Sequence, residues 1–454
     1  MKNKIIKTVL IFSILTVFFN HLNAQSSDNA LKELINSGNW FGLDREYHQN
    51  KDSIKSPLLS LFVETILKIK FNQPNAAISS IDTLLYNYQK DIGFENTVEL
   101  FRNKLYILEE QGEYEYAANE LKNFIDQISQ QNLPEEEFMD LKKMYTDMNY
   151  LRHTDKPSIF KPKKDVEIPF GTLVLNITSE NAEDTLVDTT NILGIIKISI
   201  QEKEYIFMLD TGCEKTGIFN NISNDINLHY LSDSIDIIGT EVIQGKSAIL
   251  DSISLGGVTL YNSIVFISDN VFENTNTSQT NKESLHGVIG MDFIKRIGEI
   301  QLYPHDRKII IPHEESELPT SGRNIILDES NRPIIKAFNK DDLITFIFDT
   351  GTTKSDMYKS YYLKNKEAIE TKLEKGASMV AGVGTGFKLH AKFKMPSLPL
   401  SVNETSFSLE DLDIFTENTF VKDPKADGSL GMDFIKKFSK VTLNMNKMFI
   451  QLEK

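Results

Sequence analysis

The sequence predicts a multidomain chain: an N-terminal all-α region of helical hairpins, followed by an all-β region of two like lobes that arose by internal duplication. Three observations predict this. From Leu31 to about His153, apolar residues recur at spacings of three and four, as in Leu58, Leu61, Phe62, Ile66, Leu67 and Ile69. Beyond that, the texture changes to short runs rich in Ile, Val and Thr, such as Leu173 to Ile177 and Gly194 to Ile200, which are strand signals separated by polar turns. Within this second part the sequence repeats itself.

In the helical part, turn-like breaks at Asn36 to Trp40, Phe71 to Ala77 and Gln111 to Ala118 each join two helix-like runs. Their spacing resembles about three divergent tetratricopeptide-type hairpins of roughly 34 residues each, which implies a docking surface for a protein partner. Between His153 and Pro169 the chain carries Pro157, Pro162 and Pro169 with no helical periodicity and reads as a linker. Two polar stretches, Thr178 to Asn191 and Asp269 to Ser284, hold too few apolar residues for a core and are expected as surface loops.

The repeat has three parts. Asp210-Thr211-Gly212 and Asp349-Thr350-Gly351 each close an apolar run. Gly287-Val288-Ile289-Gly290-Met291-Asp292-Phe293-Ile294 returns as Gly428-Ser429-Leu430-Gly431-Met432-Asp433-Phe434-Ile435. The hairpin pattern Glu299 to Leu302 and Lys308 to Ile311 returns at Lys440 to Leu443 and Met448 to Gln451. The offsets nearly agree, 139 residues for the aspartates and 141 for the glycine segments. A first lobe ending near Pro312 and a second beginning after Pro319 follow, since Gly322 to Leu327 again looks like an entering strand.

At the N-terminus, Lys2, Lys4 and Lys7 precede an apolar stretch from Val9 to Phe19 that ends Leu22-Asn23-Ala24, a secretory signal pattern with cleavage after Ala24. The run is shorter than the roughly 20 residues a spanning helix needs, and no other stretch is long and apolar enough. An exported protein, periplasmic or extracellular, is expected. Its domains are a signal peptide over 1–24, a helical domain over 25–155, a linker over 156–170, and lobes over 171–315 and 316–454. The single cysteine, Cys213, excludes an internal disulfide, so packed cores must supply the stability. Losing the signal removes three lysines and no acid, taking the formal charge from −15 to −18, which argues against nucleic acid as partner.

Two matching carboxylate turns point to one two-carboxylate site. Hydrolysis of a peptide needs a base for the attacking water and an acid for the leaving nitrogen, and two adjacent carboxyls sharing one proton supply both. Gly212 and Gly351 permit sharp turns, Thr211 and Thr350 can hydrogen-bond across the pair, and Gly290 and Gly431 allow their segments to pass close behind. His313-Glu314-Glu315 lacks the second histidine of a zinc site, and the glycine run from Ala381 to Phe387 lacks the Lys-Ser or Lys-Thr of a phosphate loop. No metal or organic cofactor is expected. Cys213 is read as a small buried residue beside the dyad.

Asp-Thr-Gly followed by an apolar-apolar-Gly segment, twice over residues 170 to 454, resembles the aspartic proteases, pepsin-like and retropepsin-like, and the Gly-x-x-Gly-Met-Asp-Phe-Ile form looks like their bacterial retropepsin-like members. The resemblance implies a bilobed β fold, a water held between Asp210 and Asp349, and an extended peptide or protein substrate between the lobes. It makes Gly239, and Gly382, Gly384 and Gly386, candidate flap residues that close over the peptide. Position 213 is Cys where pepsin-like enzymes carry a hydroxyl, whereas 352 is Thr; Thr352 is therefore expected to give Asp349 a hydrogen bond that Asp210 lacks, so that Asp349 is the more readily ionised and Asp210 more often carries the proton. Ser429 departs from the apolar residue the family prefers. With both aspartates in one chain, a monomer suffices. The alternative function is a catalytically silent peptide binder on the same scaffold, with the helical domain as its partner-binding module.

Overall fold

A computed structural model describes residues 26–129, 135–178, 187–269, 284–382, 387–422 and 424–454. The signal segment lies outside them. The chain divides into two compact units, Met1–Glu110 and Gln111–Lys454. Among the described residues no helix is long and apolar enough to cross a membrane.

The first unit holds helices α1 (Ser26–Asn36), α2 (Trp40–Asn50), α3 (Pro57–Lys70), α4 (Pro74–Asn87) and α5 (Gln89–Glu110). Local chemistry sets their ends. The Asn39 side chain accepts from the Gly42 N–H to start α2, and the Ser56 hydroxyl accepts from the Leu59 N–H to start α3, where Pro57 takes the first turn. The break after α1 passes through Gly38 at φ +66°, a conformation glycine adopts without strain. Leu31, Leu43, Leu59, Ile81 and Leu105 are fully buried, as the three-and-four spacing requires.

The second unit opens with α6 (Tyr114–Ile128) and α7 (Glu135–Leu151). Its strands in the first half are β1 (Ser158–Phe160), β2 (Val166–Thr178), β3 (Val187–Ile200), β4 (Lys203–Leu209), β5 (Gly217–Phe219), β6 (His229–Ile238), β7 (Val242–Leu255), β8 (Val258–Ser268), β9 (Gly287–Ile289), β10 (Glu299–Tyr303) and β11 (Lys308–Ile311). The second half adds β12 (Ile325–Leu327), β13 (Pro333–Asn339), β14 (Asp342–Phe348), β15 (Asp356–Met357), β16 (Glu374–Ala381), β17 (Phe387–Val402), β18 (Thr405–Phe415), β19 (Gly428–Leu430), β20 (Lys440–Asn444) and β21 (Phe449–Glu453).

Two sheets result. One contains the order β3-β4-β9-β5-β8-β7-β6, the other the order β13-β14-β19-β15-β18-β17-β16, so the two runs agree strand for strand. In each, the strand entering the Asp-Thr-Gly turn pairs in parallel with the distal glycine strand, β4 with β9 and β14 with β19. Strands β20 and β21 join the first sheet because β10 pairs antiparallel with β20, Ile300 opposite Leu443. The join contains a fully buried Glu299, whose carboxylate accepts from Asn444 Nδ2 at 2.7 Å, Ser316 N at 2.8 Å, Ser316 Oγ at 2.7 Å and Gln301 Nε2 at 2.7 Å. Four donors are what allow a carboxylate to stay there.

Three expectations are corrected. The linker is partly structured: β1 pairs with β8, bounded by Pro157 and Pro162, and β2 starts inside it. Proline is compatible with such a short edge strand. Within the expected loop Thr178–Asn191, Val187 to Asn191 pairs with Val174 to Thr178 in a β2–β3 hairpin, because backbone hydrogen bonding continues past the apolar run. The boundary after residue 155 also differs, since α6 and α7 belong with the sheets: Tyr114 and Leu151 bury against Ile249 of β7, flanked by Leu231 and Ile264. Removing the Leu151 side chain empties that contact. Leu151→Ala should cost about 3 kcal/mol, read as a lowered urea midpoint of the second unit's unfolding; an unchanged midpoint would show that the hairpin is not held by this cluster.

Candidate active site

Asp210 and Asp349 lie at the ends of β4 and β14, where each strand breaks into its turn. The distal segments hold both turns from behind: Asp210 N donates to Ile289 O at 2.9 Å and Asp349 N to Leu430 O at 3.0 Å. The two turns are tied to each other by four hydrogen bonds through buried threonines. Thr211 N donates to Thr350 Oγ1 at 3.0 Å and Thr350 N to Thr211 Oγ1 at 2.9 Å, while the hydroxyls donate to Phe348 O at 2.6 Å and Leu209 O at 2.7 Å. Each hydroxyl thus accepts once and donates once, so neither buried threonine hydroxyl is left unmet.

Glycine is required where the turns face each other. A methyl group on Gly212 would lie 2.5 Å from Asp349 Cγ, and one on Gly351 would lie 2.5 Å from Asp210 Cγ. Each glycine N–H donates to its own turn's carboxylate at 2.9 Å. Gly290 and Gly431 are equally confined, with Lys215 C and Lys354 C at 2.5 and 2.9 Å from a methyl position.

A pair of latches, not anticipated from the sequence, braces these turns. The Asp292 carboxylate accepts from Thr216 N and Oγ1, both at 2.8 Å, and Gly290 N donates to Thr216 Oγ1 at 3.2 Å. Asp433, Ser355 and Gly431 repeat the arrangement at 2.8, 2.7 and 3.0 Å. The repeat offsets, 139 for Thr216 and Ser355 and 141 for the aspartates, were the available signal.

The two aspartates are not equivalent. Burial and then the neighbouring Asp349 charge hold the Asp210 carboxyl well above the usual range, and the Gly212 N–H offsets this only in part. Burial also raises Asp349, but the Gly351 N–H and the Arg332 guanidinium pull it down. Asp349 is therefore the more readily ionised member and Asp210 the proton carrier, although the two titrate as a pair.

The cause expected for this, the Thr352 hydroxyl, is corrected. Thr352 Oγ1 donates to Lys354 O at 3.3 Å, and Cys213 Sγ makes the same bond to Lys215 O at 3.2 Å, so both side chains point away from the carboxylates. Burial pushes the Cys213 thiol well above its ordinary value, which makes it a poor nucleophile. The asymmetry comes from Arg332. Ile334 pairs with Ile347, so continuing the antiparallel register sets Arg332 beside Asp349. Asp328, itself buried, holds it from the other side, accepting from Arg332 Nε at 2.8 Å and pairing with an outer guanidinium nitrogen at 2.7 Å. The matching first-half position is Leu193.

Of the candidate flap residues, Gly239 is at the tip of the β6–β7 hairpin, its N–H donating to Glu241 O, and Gly382 follows β16. Gly384 and Gly386 lie outside the described residues. Gly382 and Lys388 approach the β6–β7 tip: a methyl on Gly382 would lie 2.5 Å from Thr240 Cγ2, and Lys388 pairs with Glu241. Ser429 donates to a further carboxylate, Asp356, at 2.8 Å. Among the described residues, no grouping of three or more His, Cys, Asp or Glu side chains is arranged to hold a metal ion.

Comparison with known proteins agrees in kind. Residues 196–293 match a family model described as aspartyl protease, a stretch that contains Asp210 and Gly290 and stops short of Asp349. A retropepsin-like aspartic protease from Rickettsia conorii, known from its crystal structure, is 18% identical over 28% of this chain and 89% of its own, with a TM-score of 0.19, too low to carry a structural argument. No curated protein matches. The matched stretch supports an aspartic protease family relationship for this part of the chain.

The raised Asp210 carboxyl has a measurable consequence for stability. Below its ordinary value of 3.8 the group is protonated in both folded and unfolded chains and costs nothing. As pH rises past that value the unfolded chain releases its proton first, so the folded state is penalised. Asp210→Asn removes the penalty. The variant should melt above the wild type at pH 7, with the difference shrinking towards zero below about pH 4; a pH-independent difference would contradict the protonated assignment.

Proposed function

We propose that the chain is an exported aspartic-type endopeptidase of the bacterial retropepsin-like kind, in which two duplicated lobes each supply one carboxylate to a dyad of Asp210 and Asp349. The observation that carries this reading is the reciprocal Thr211–Thr350 bonding, which holds two carboxylates against each other's glycine turns. A binder gains nothing from two like charges forced together, whereas a peptidase needs them. Removal of the signal over residues 1–24 and a tetratricopeptide-like docking role for the helical region complete the proposal.

Each step follows from the residues. Ionised Asp349, raised by burial less than Asp210 because Gly351 N–H and Arg332 offset it, accepts a proton from the water as its oxygen attacks the peptide carbonyl. Protonated Asp210 gives its proton to the carbonyl oxygen, leaving a tetrahedral gem-diol. Collapse of that intermediate breaks the C–N bond as Asp349 passes its proton to the leaving nitrogen and Asp210 recovers one from a hydroxyl. The β6–β7 tip at Gly239, with Gly382 against it, excludes bulk water while the peptide lies extended beneath.

The mature chain from Gln25 should cut a mixed peptide library between pH 3 and 7, and Asp210→Asn or Asp349→Asn should each lower kcat/KM by at least about a thousandfold. Retained peptide binding with no cutting by the wild type would replace this reading with that of a silent binder. Arg332→Gln should move the acidic limb of the pH–rate profile to higher pH, because Asp349 then loses the charge that favours its ionised form, while Arg332→Lys should hold the limb near its wild-type place. Limbs that coincide in all three proteins would remove Arg332 from the mechanism.

A further inference from the structure

The two halves close the same strand pair with different acceptors. In the second half Asp427 stands just before β19; its N–H donates to Thr345 O at 2.8 Å, and its carboxylate accepts from Thr345 N at 3.0 Å. In the first half His286 stands just before β9; its N–H donates to Ile206 O at 2.8 Å, and its Nδ1 accepts from Ile206 N at 3.0 Å. The positions are separated by 141 and 139 residues, the offsets of the rest of the repeat.

What differs is how each acceptor responds to a proton. A carboxyl that takes one up still offers an acceptor oxygen, whereas an imidazole that takes one up carries N–H on both nitrogens and accepts nothing. The Ile206 N–H aimed at Nδ1 therefore requires a neutral His286 with its ring proton on Nε2. Asp427 is further secured by the Thr345 hydroxyl at 3.2 Å and Lys364 at 2.6 Å, with the Tyr361 phenol within reach of its charge. Ile206 has no hydroxyl to add, so the bond to His286 stands alone.

The surroundings leave His286 free to respond. It is only half-buried, so solvent protons reach it, and burial holds the imidazole below its ordinary value of 6.5, an effect the Ile206 backbone offsets in part. The titratable group facing the ring is the Tyr205 phenol of β4, edge-on with 5.5 Å between centroids; among the described residues no charged side chain of the packed elements shifts it. On the other side Phe219 N donates to His286 O at 2.8 Å.

The bond closes one end of a short pair. Strands β4 and β9 match only Phe207 with Gly287, Met208 with Val288 and Leu209 with Ile289, and the next bond along is Asp210 N to Ile289 O. A protonated ring would set two N–H groups against each other at one end of a strand whose other end is Asp210, leaving the Ile206 donor unmet.

Resting on the peptidase reading, we propose that His286 is a positioning residue for Asp210: its neutral ring holds β4 against β9, and protonation releases that hold, so the first half loses its aspartate geometry in acid while the second half keeps its own.

The test compares the two clamps within one protein. Residue-resolved hydrogen exchange on the full chain, corrected for intrinsic rates, should show the Ile206 amide losing protection relative to Thr345 by about tenfold or more between pH 7 and pH 4.5. His286→Asn, whose side-chain oxygen accepts at either pH, should abolish that relative loss. Wild-type protection that moves together at the two positions overturns the proposal without any variant. Stability gives a second reading. As pH falls below 6.5 the unfolded chain takes up the histidine proton first and the folded wild type is penalised, so its thermal midpoint should fall relative to His286→Asn by about 2 °C or more over the same range; a constant gap would contradict it. In peptide cleavage His286→Asn should carry the acidic limb of kcat/KM to lower pH, and a limb that stays in place would reduce His286 to a structural clamp and end its positioning role. No cutting by the wild type would sink the peptidase reading instead, and the exchange ratio would still decide whether this hold is acid-sensitive.

Discussion

Everything in this site depends on holding two carboxylates at one place that neither would choose. Burial and mutual repulsion both oppose ionisation there. The opposing force is the set of four hydrogen bonds between the Thr211 and Thr350 turns, made in a buried setting where each is stronger than in water. Those bonds exist only if both turns keep their shape, which explains the surrounding construction. Ile289 and Leu430 fix the aspartate N–H groups, and the Asp292 and Asp433 latches fix the strands that follow each turn. The glycines complete it, since any side chain at 212 or 351 would occupy the space of the opposing carboxylate.

A scaffold this regular would, left alone, make the two aspartates alike. Cys213 and Thr352 differ in element and polarity yet make the same bond to a carbonyl two residues on, so they do not break the balance. Arg332 does, because Leu193 at the matching position carries no charge. The Arg332–Asp328 pair is largely buried, and such a pair adds little net stability over apolar packing. Its physical effect is directional: a fixed positive charge on one side of a shared proton. The exchange of Gly217, Phe266 and Val288 for Asp356, Asp413 and Ser429 breaks the likeness a second time, further from the reacting atoms.

The sequence made the repeated elements legible because their signals are local. A tripeptide after an apolar run, a Gly-x-x-Gly segment and a terminal hairpin can each be recognised without knowing what they touch. The order of strands within each half was not legible, since β5 and β15 are too short to show a period and gain their pairing only between β9 and β8 or β19 and β18. Nor was the docking of α6 and α7. Tyr114 and Leu151 look like the inner face of any amphipathic helix, and nothing local says that this face meets Ile249 rather than another helix. The Thr352 expectation failed for a related reason: residue type gives a hydroxyl but not its rotamer, and here it turns to Lys354 O.

Access to the dyad can be argued from how the β6–β7 hairpin is held. At its base the Tyr150 hydroxyl reaches Tyr230 O at 3.5 Å, and Leu231 packs on the cluster that anchors α6 and α7. At its tip it is held by weaker means, the partly exposed Lys388–Glu241 pair and a Val421 N–H to Gly239 O bond at 3.0 Å. An ion pair of that exposure contributes at most about 1 kcal/mol, less in salt. Between base and tip the pairing with β7 slips twice, at Tyr230/Ser232 and Ser232/Ile235, so the strand has irregular points where it can bend. Opening therefore requires loss of the surface contacts at the tip and leaves the helix-packed base in place. Ile235 and Ile237 lie beyond the slips and pack on the buried cluster of Met208, Phe219 and Phe266, so bending at the slips would lift them off that cluster.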